Sequence, residues 1–342
     1  MEKRTEIASL GEFGLIEIIK NIFPNHNKNT ILGIGDDAAL VENNSELTSV
    51  FSTELFVEGI HFDLSYFPLQ HLGYKVAVAG ISDIAAMNAV PKQIMVGIGL
   101  SNRFSVEAVQ EFYLGIKAAC DDFAVDLVGG DTSASRSGLI ISVTTIGVAT
   151  PQNITLRKGA KLNDIICVTG DLGASFLGLQ LLEREKAVFQ ANPNAQPELD
   201  DFEYIVGRQL KPTARMDIVH QLAELGVVPT SMIDISDGLA SDLLHICKQS
   251  IVGATIFEEK LPIDDKSFLA ATSLNISPIT AALNGGEDFE LLFTISQADF
   301  EKIKPITDVN PIGFITENQN EVNLMMKSGQ LVPLIAQGWN QG

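Results

Sequence analysis

The sequence predicts a mixed α/β (α+β) chain of two domains, and three observations carry that prediction. Its 342 residues are more than one core of ordinary size absorbs. Helical and strand-like apolar patterns alternate along the whole chain. A polar connection opening at Thr150-Pro151 splits them into two halves, 1–150 and 151–342, each holding both kinds of element.

In the first half, Glu12 to Phe23 spaces its apolar residues as a helix does, and the turn-rich Pro24–Asn29 follows. A short strand-like run leads into Gly33-Ile34-Gly35-Asp36-Asp37, and another spans Thr48–Phe56. Residues 70–90 read as a helix stopped before Pro91, because the ring blocks helix continuation. The run 94–100 reads as a buried strand, 105–123 as an amphipathic helix, and Leu127-Val128 and Leu139–Val148 as further strands. The second half gives strands at 164–169, 231–235 and 254–258, helices at 173–186, 212–225 and 237–249, and an apolar run Phe289–Ile295. Between them Gln190–Asp201 is a polar, tolerant loop.

Composition narrows the function. Lysine and arginine number 23 against 43 aspartates and glutamates, a net charge of −20. No basic stripe exists to release counterions from a nucleic acid or to bind an anionic membrane, so neither is expected as a partner. No apolar stretch reaches the length of a membrane span, and MEKRTEIASL at the start lacks the apolar core of a secretory signal. Three cysteines (Cys120, Cys167, Cys247) without a CxxC pair fit a reduced, cytoplasmic protein and no structural zinc site.

The acidic residues gather where apolar runs meet glycine. Asp36-Asp37 follow Gly33-Ile34-Gly35, and Asp131 follows Gly129-Gly130. Asp234 and Asp237 flank Ile235-Ser236 before Gly238, and Glu287-Asp288 follow the strand-like Ile279–Asn284 and Gly285-Gly286. Any one of these is an ordinary turn. Four of them, with Asp83 on an otherwise apolar helix, point to a shared cavity at strand ends. Carboxylates packed together raise one another's pKa unless a cation neutralises them. An all-oxygen donor set selects hard ions, above all Mg²⁺ shared with phosphates. That resolves how so acidic a chain could handle a small phosphorylated ligand.

Other phosphate routes are missing. There is no GxxxxGK[ST] loop and no kinase-type HRD or DFG set. Gly33 to Ala38 formally fits a dinucleotide fingerprint, but Asp36 and Asp37 would face the pyrophosphate where it needs bare N–H groups. His26 and His220 read as surface residues, and His71 and His245 as either core or surface. His61 stands apart because it directly follows the strand bearing Ser52-Thr53-Glu54. Trp339 is open between a packing anchor and a platform for an aromatic ligand.

In order, GEFGLI (11–16), GIGDDAA (33–39), STELFVEGIHF (52–62), KVAVAGISDIAAM (75–87) and VGGDTS (128–133) form a pattern. It continues through LRKGA (156–160), KPTAR (211–215), DISDGL (234–239), GGEDFELLF (285–293) and GW (338–339). The chain resembles the thiamine-monophosphate kinases, within the ATP-dependent superfamily typified by aminoimidazole ribonucleotide synthetase. The resemblance implies a ferredoxin-like N-terminal domain that dimerises, a C-terminal α/β domain, and ATP with several Mg²⁺ ions between them. The implied reaction phosphorylates thiamine monophosphate to thiamine diphosphate by direct in-line transfer.

Carried onto this chain, the resemblance implies metal ligands at Asp37, Ser52, Thr53, Glu54, Asp83, Asp131, Asp234 and Asp237. It implies nucleotide contacts at Tyr113, Gly130, Asp131, Arg157 and Ser236, and substrate contacts at His61, Glu287 and Trp339. Glu54 departs from the aspartate usual in the family, which alters the reach of one metal-binding carboxylate. Arg157 is the group expected to stabilise charge on the transferring phosphoryl. Within the superfamily, selenophosphate synthetase would want a reactive cysteine near the N-terminus, whereas the first here is Cys120. A hydrogenase-maturation dehydratase would carry a cysteine tail where this sequence reads Trp-Asn-Gln-Gly. Outside it, the rival is an acidic module that binds metal or nucleotide without turnover.

Overall fold

The structure, a computed structural model, describes residues 11–22, 27–44, 46–319 and 321–337. After helix α1 (Gly11–Ile22) come six strands: β1 (Thr30–Leu32), β2 (Ala39–Glu42), β3 (Thr48–Val57), β4 (Val90–Leu100), β5 (Asp126–Ala134) and β6 (Ile140–Ala149). They make one sheet in the order β1-β2-β3-β6-β4-β5, antiparallel except for the parallel pair β4–β5. The crossover between that parallel pair is α3 (Val106–Phe123), which starts where the Ser105 hydroxyl accepts the N–H of Ala108.

Helix α2 (Leu69–Ala86) packs against β3, β4 and β6 on one side and against the second half on the other. Burial on nearly every face explains its composition, since a helix apolar all round has no solvent side. It meets α3 through two glycines. A Cβ on Gly73 would lie 2.0 Å from the carbonyl oxygen of Phe112, and one on Gly115 1.9 Å from that of Gln70.

The second half forms a seven-stranded sheet in the order β13-β12-β9-β11-β7-β10-β8. Its strands are β7 (Ile165–Thr169), β8 (Ser231–Asp234), β9 (Gly253–Phe257), β10 (Leu291–Ile295), β11 (Val309–Thr316), β12 (Val322–Met325) and β13 (Leu331–Pro333). Seven α-helices among the described residues accompany it: α4 (Ala174–Ala191), α5 (Glu203–Leu210), α6 (Met216–Glu224), α7 (Leu239–Ser250), α8 (Asp265–Ser273), α9 (Pro278–Asn284) and α10 (Gln297–Ile303). One hydrophobic cluster runs from Val78, Ile81 and Val143 of the first half to Met216, Leu222 and Phe293 of the second. The two sheets are thus joined through a shared core with α2 in its middle. No helix among the described residues is long and apolar enough to cross a membrane.

Three local expectations change. The helix expected over 70–90 ends at Ala86, because Asn88 turns left-handed (φ 53°) and β4 has begun by Val90, taking Pro91 into its first residues. Gly129, Gly130 and Asp131 lie inside β5 rather than at its end. A Cβ on Gly130 would fall 1.9 Å from the Val96 carbonyl oxygen, so this glycine permits close strand approach and makes no turn. The run Ile279–Asn284 is helix α9, capped by the Ser277 hydroxyl with Pro278 in its first turn.

Candidate active site between the two sheets

Helix α2 delivers adjacent side chains to the two sheets. Asp83 accepts a short hydrogen bond from the Ser52 hydroxyl on β3, and Ser82 donates at 2.8 Å to Oδ2 of Asp234 at the end of β8. Asp37, from the loop before β2, completes a group. Asp37, Asp83 and Asp234 each bring a carboxylate oxygen within 4.8 Å of the other two. Burial holds the Asp83 carboxyl well above its ordinary range, and the charges of Glu54, Asp234 and Asp37 push it further the same way. Burial and the neighbouring Asp37 raise Asp234 to about 8, and burial raises Asp37 despite its arginine partner.

That partner is Arg157, whose Nη2 lies 2.5 Å from Asp37 Oδ1 and whose backbone N–H donates to Asp36 at 3.3 Å. Asp36, buried beside the charge of Asp37, rises to about 6. The loop 234–238 lies against the loop 285–289. Glu287 N–H donates to the Ser236 carbonyl at 2.8 Å and Phe289 N–H to the Ile235 carbonyl at 3.0 Å. Gly286, Glu287 and Phe289 all have positive φ (72°, 56° and 52°), an unusual density of left-handed backbone held by those bonds.

A second grouping is set off from the first. Tyr113, Gly130 and Asp131 line a recess of about 690 Å³ with Val96 and Leu127, along the β5 edge of the first sheet. Strands β6 and β4 separate β5 from β3, so Asp131 stands three strand spacings, ~14 Å, from the strand that carries Ser52. Thr53, next to Ser52, points to the other face of β3 and meets Thr144 Oγ1 at 3.1 Å. Asp131 and Thr53 therefore lie apart from the three-carboxylate group. Glu54 shares Ser52's face and Asp237 the Asp234 loop, and each raises a buried neighbour's pKa, Asp83 and Asp242 respectively. Ser236 is exposed on that same loop. His61 is exposed beyond β3, its Nδ1 accepting the N–H of Val57 at 3.0 Å. Glu287 pairs with Lys75 at 3.0 Å. Trp339 lies outside the described residues.

Sequence reasoning missed Asp242. It is 2% exposed on α7, and its Oδ2 has no hydrogen-bond partner. Burial first, then the charges of Asp237, Asp234 and Asp37, hold its pKa well above the ordinary value. The signal was available: Leu239, Asp242, Leu243 and Ile246 follow helical spacing, which puts an aspartate on the buried stripe.

The group can hold a hard cation. All its donors are carboxylate or hydroxyl oxygens, Asp37 Oδ2 is buried without a hydrogen-bond partner, and each of the three carboxylates is costly to ionise beside the others. Residues 35–149 match the model of the AIR synthase related protein, N-terminal domain. The thiamine-monophosphate kinase of Aquifex aeolicus is 34% identical over 314 residues, covering 92% of this chain and 94% of the relative. That of Bacillus subtilis is 33% identical over 335 residues, covering 95% and 98%. A solved structure described as AaThiL complexed with AMPPCP and TMP superposes with a TM-score of 0.82 at 32% identity, covering 98% of both chains. Similarity of this extent, over both sheets and the carboxylate loops, places the chain in the thiamine-monophosphate kinase family.

Proposed function

We propose that this chain transfers the terminal phosphoryl group of ATP to thiamine monophosphate, giving ADP and thiamine diphosphate, in line and without a phosphoenzyme. The observation that carries the reading is the convergence of Asp37, Asp83 and Asp234 from three distant segments. Its support from relatives is that they bear the name of this activity over nearly their full length.

Mg²⁺ would be held by Asp37, Asp83 and Asp234, with Ser52, Glu54 and Asp237 beside them, whereas Thr53 and Asp131, also expected as ligands, lie apart from that group within one chain. Bound there, it supplies charge neutralisation and alignment for two phosphate-bearing substrates. The protein's own contribution is to keep the carboxylates fixed: Ser52 and Ser82 each donate to one of them, so their orientation precedes any ligand. The acceptor attacks through a phosphate oxygen already ionised at neutral pH, so no side chain need remove a proton. Arg157, 16% exposed beside Asp37, supplies the fixed positive charge at the carboxylate floor. Tyr113, Gly130, Asp131 and Ser236 are assigned to the nucleotide, and His61, Glu287 and Trp339 to the acceptor.

The reading includes a homodimer. Every residue of β5 is exposed, with Leu127 at 44% and Val128 at 55%, so the sheet ends in a long unpaired edge carrying two adjacent exposed apolar side chains. The fold assignment of residues 1–150 to metal, nucleotide and dimer contact, and of 151–342 to the second domain, belongs to the same proposal.

The test measures ADP release from Mg-ATP with and without thiamine monophosphate, and identifies the product by mass. Acceptor-dependent ADP with stoichiometric thiamine diphosphate is the expected result. Mg-ATP binding without turnover would leave a non-catalytic binding module instead.

A further inference from the structure

Lys75 is among the largest fully buried side chains of the described residues, at 1% exposure. A lysine ammonium so placed must be paired, because an isolated buried charge is strongly disfavoured. Its Nζ donates at 3.0 Å to Glu287 Oε2 and at 3.0 Å to the Gln209 carbonyl oxygen, and it lies 5.5 Å from the Phe67 ring centroid. Gln209 Nε2 donates to the same Glu287 oxygen at 3.3 Å, and the Gln209 side chain is itself held by the Ser175 hydroxyl at 2.6 Å. Both side-chain bonds to Glu287 thus converge on Oε2 of a carboxylate that is still 29% exposed.

The loop beneath Glu287 is fixed independently. Asp288 accepts the N–H of Gly173 at 2.8 Å, and Glu290 is gripped by Arg208 at 2.9 Å and Arg215 at 2.7 Å. Glu287 itself sits in the left-handed region, with φ 56°, and its N–H is held by the Ser236 carbonyl at 2.8 Å. The backbone there turns the side chain toward α2, and Lys75 then sets the plane of its carboxylate.

Lys75 and Ser82 lie two helical turns apart on the same face of α2, so the Glu287 contact is ~10 Å along the helix from the Asp234 contact. A carboxylate repels phosphate and attracts a cation or an N–H donor. We infer that Lys75 is a positioning residue that holds Glu287 to receive the positively charged, amino-bearing ring end of the acceptor, while α2 sets its distance from the phosphate end at the metal-binding carboxylates. This rests on the thiamine monophosphate reading and names the part of that substrate which Glu287 meets.

The test compares steady-state kinetics of the full chain with those of Lys75→Met, Lys75→Arg, Glu287→Gln and the Lys75→Met/Glu287→Gln pair. Thiamine monophosphate and ATP are varied separately, and thermal midpoints are recorded. Lys75→Met is expected to raise KM for the acceptor roughly tenfold or more while KM for ATP and kcat stay within about twofold. Lys75→Arg restores part of the loss, and the double variant is no worse than Glu287→Gln, because one residue acts through the other. Equal rises in both KM values, a fallen midpoint with unchanged acceptor KM, or effects that multiply in the pair would each overturn the inference. If Lys75→Met does not fold, Lys75→Arg decides, since a displaced charge must still raise acceptor KM selectively. A wild-type chain that phosphorylates no thiamine monophosphate overturns the underlying reading, and the inference with it. Normal turnover with an indifferent Lys75 overturns the inference alone.

Discussion

Ser82 Oγ donates to Asp234 Oδ2 at 2.8 Å, so a helix of the first half holds a carboxylate of the second. Ser82 is fully buried, and its neighbour Asp83 is bonded to Ser52 on the first sheet. Ser82→Ala would leave the Asp234 oxygen without this donor, at a cost of about 1–3 kcal/mol in stability. The Mg²⁺ concentration for half-maximal activity should rise several-fold, because Asp234 loses its fixed orientation. Denaturant midpoints and an Mg²⁺ titration of activity check the two effects; an unchanged titration would reduce Ser82 to a packing residue.

Asp234→Asn should separate stability from function. The folded pKa of Asp234 is raised to about 8 from an ordinary 3.8, so between these values the folded state binds the extra proton. Its contribution to stability is therefore full below the unfolded value and declines as pH rises toward the folded one. Asparagine keeps an acceptor for Ser82 and carries no charge. In metal-free protein the variant should match wild type near pH 4 and melt higher near pH 8, while activity falls at least about a hundredfold. Added Mg²⁺ should raise the wild-type midpoint and leave the variant's nearly unchanged. A variant that melts lower than wild type at pH 8 without metal would refute the repulsion.

The three-carboxylate group is legible in the order of acidic residues along the chain. Asp37 follows an apolar run and a glycine turn, Asp234 ends an apolar run, and Asp83 breaks an apolar helix, so a pattern of burial marks all three. Asp131 is legible as a residue but not in its setting. Gly129-Gly130 reads as a turn because glycine pairs usually are one, whereas here both lie inside β5 and the Val96 carbonyl leaves no room for a side chain at Gly130. The Lys75–Glu287 pair joins residues 212 apart in sequence, and no local periodicity reports such a contact. Helices α8 to α10 leave little periodic trace because they are short and governed by caps such as Ser277 and Ser296 rather than by long apolar stripes.

Gly115→Ala tests the α2–α3 contact. The added Cβ would meet the Gln70 carbonyl oxygen at 1.9 Å, a backbone atom that cannot rotate aside. Relieving the clash means separating the helices, at a cost of roughly 1–3 kcal/mol and occasionally more. Thermal and denaturant midpoints should fall, with activity per folded molecule nearly kept. A neutral substitution would mean that the helices slide apart easily.

Val128→Asp tests the uncovered edge. Val128 is 55% exposed within one chain, so the substitution costs the isolated protomer little. If β5 meets a second copy, a carboxylate buried without a partner should shift the assembly toward monomer in light scattering, with the far-ultraviolet spectrum unchanged. A chain that is already monomeric, or a variant that dimerises as well as wild type, would remove β5 from the interface.

Arg157 pairs with Asp37 and, in the proposed reaction, stabilises the transferring phosphoryl, and two substitutions separate these roles. Arg157→Ala strips the partner from Asp37 and the nearby charge from Asp36, so metal-free protein should lose stability, and Mg²⁺ should recover much of it by taking over as counter-charge. Activity should not recover, because the charge needed by the transferring phosphoryl is gone; a loss of about a thousandfold in kcat is the scale for one such group. Arg157→Lys keeps the charge but not the planar two-pronged donor, so it should hold stability near wild type while remaining well below it in kcat. Midpoints with and without Mg²⁺, read beside kcat, distinguish the cases. A fully active Arg157→Ala enzyme would leave the arginine as a counter-ion to Asp37 and nothing more.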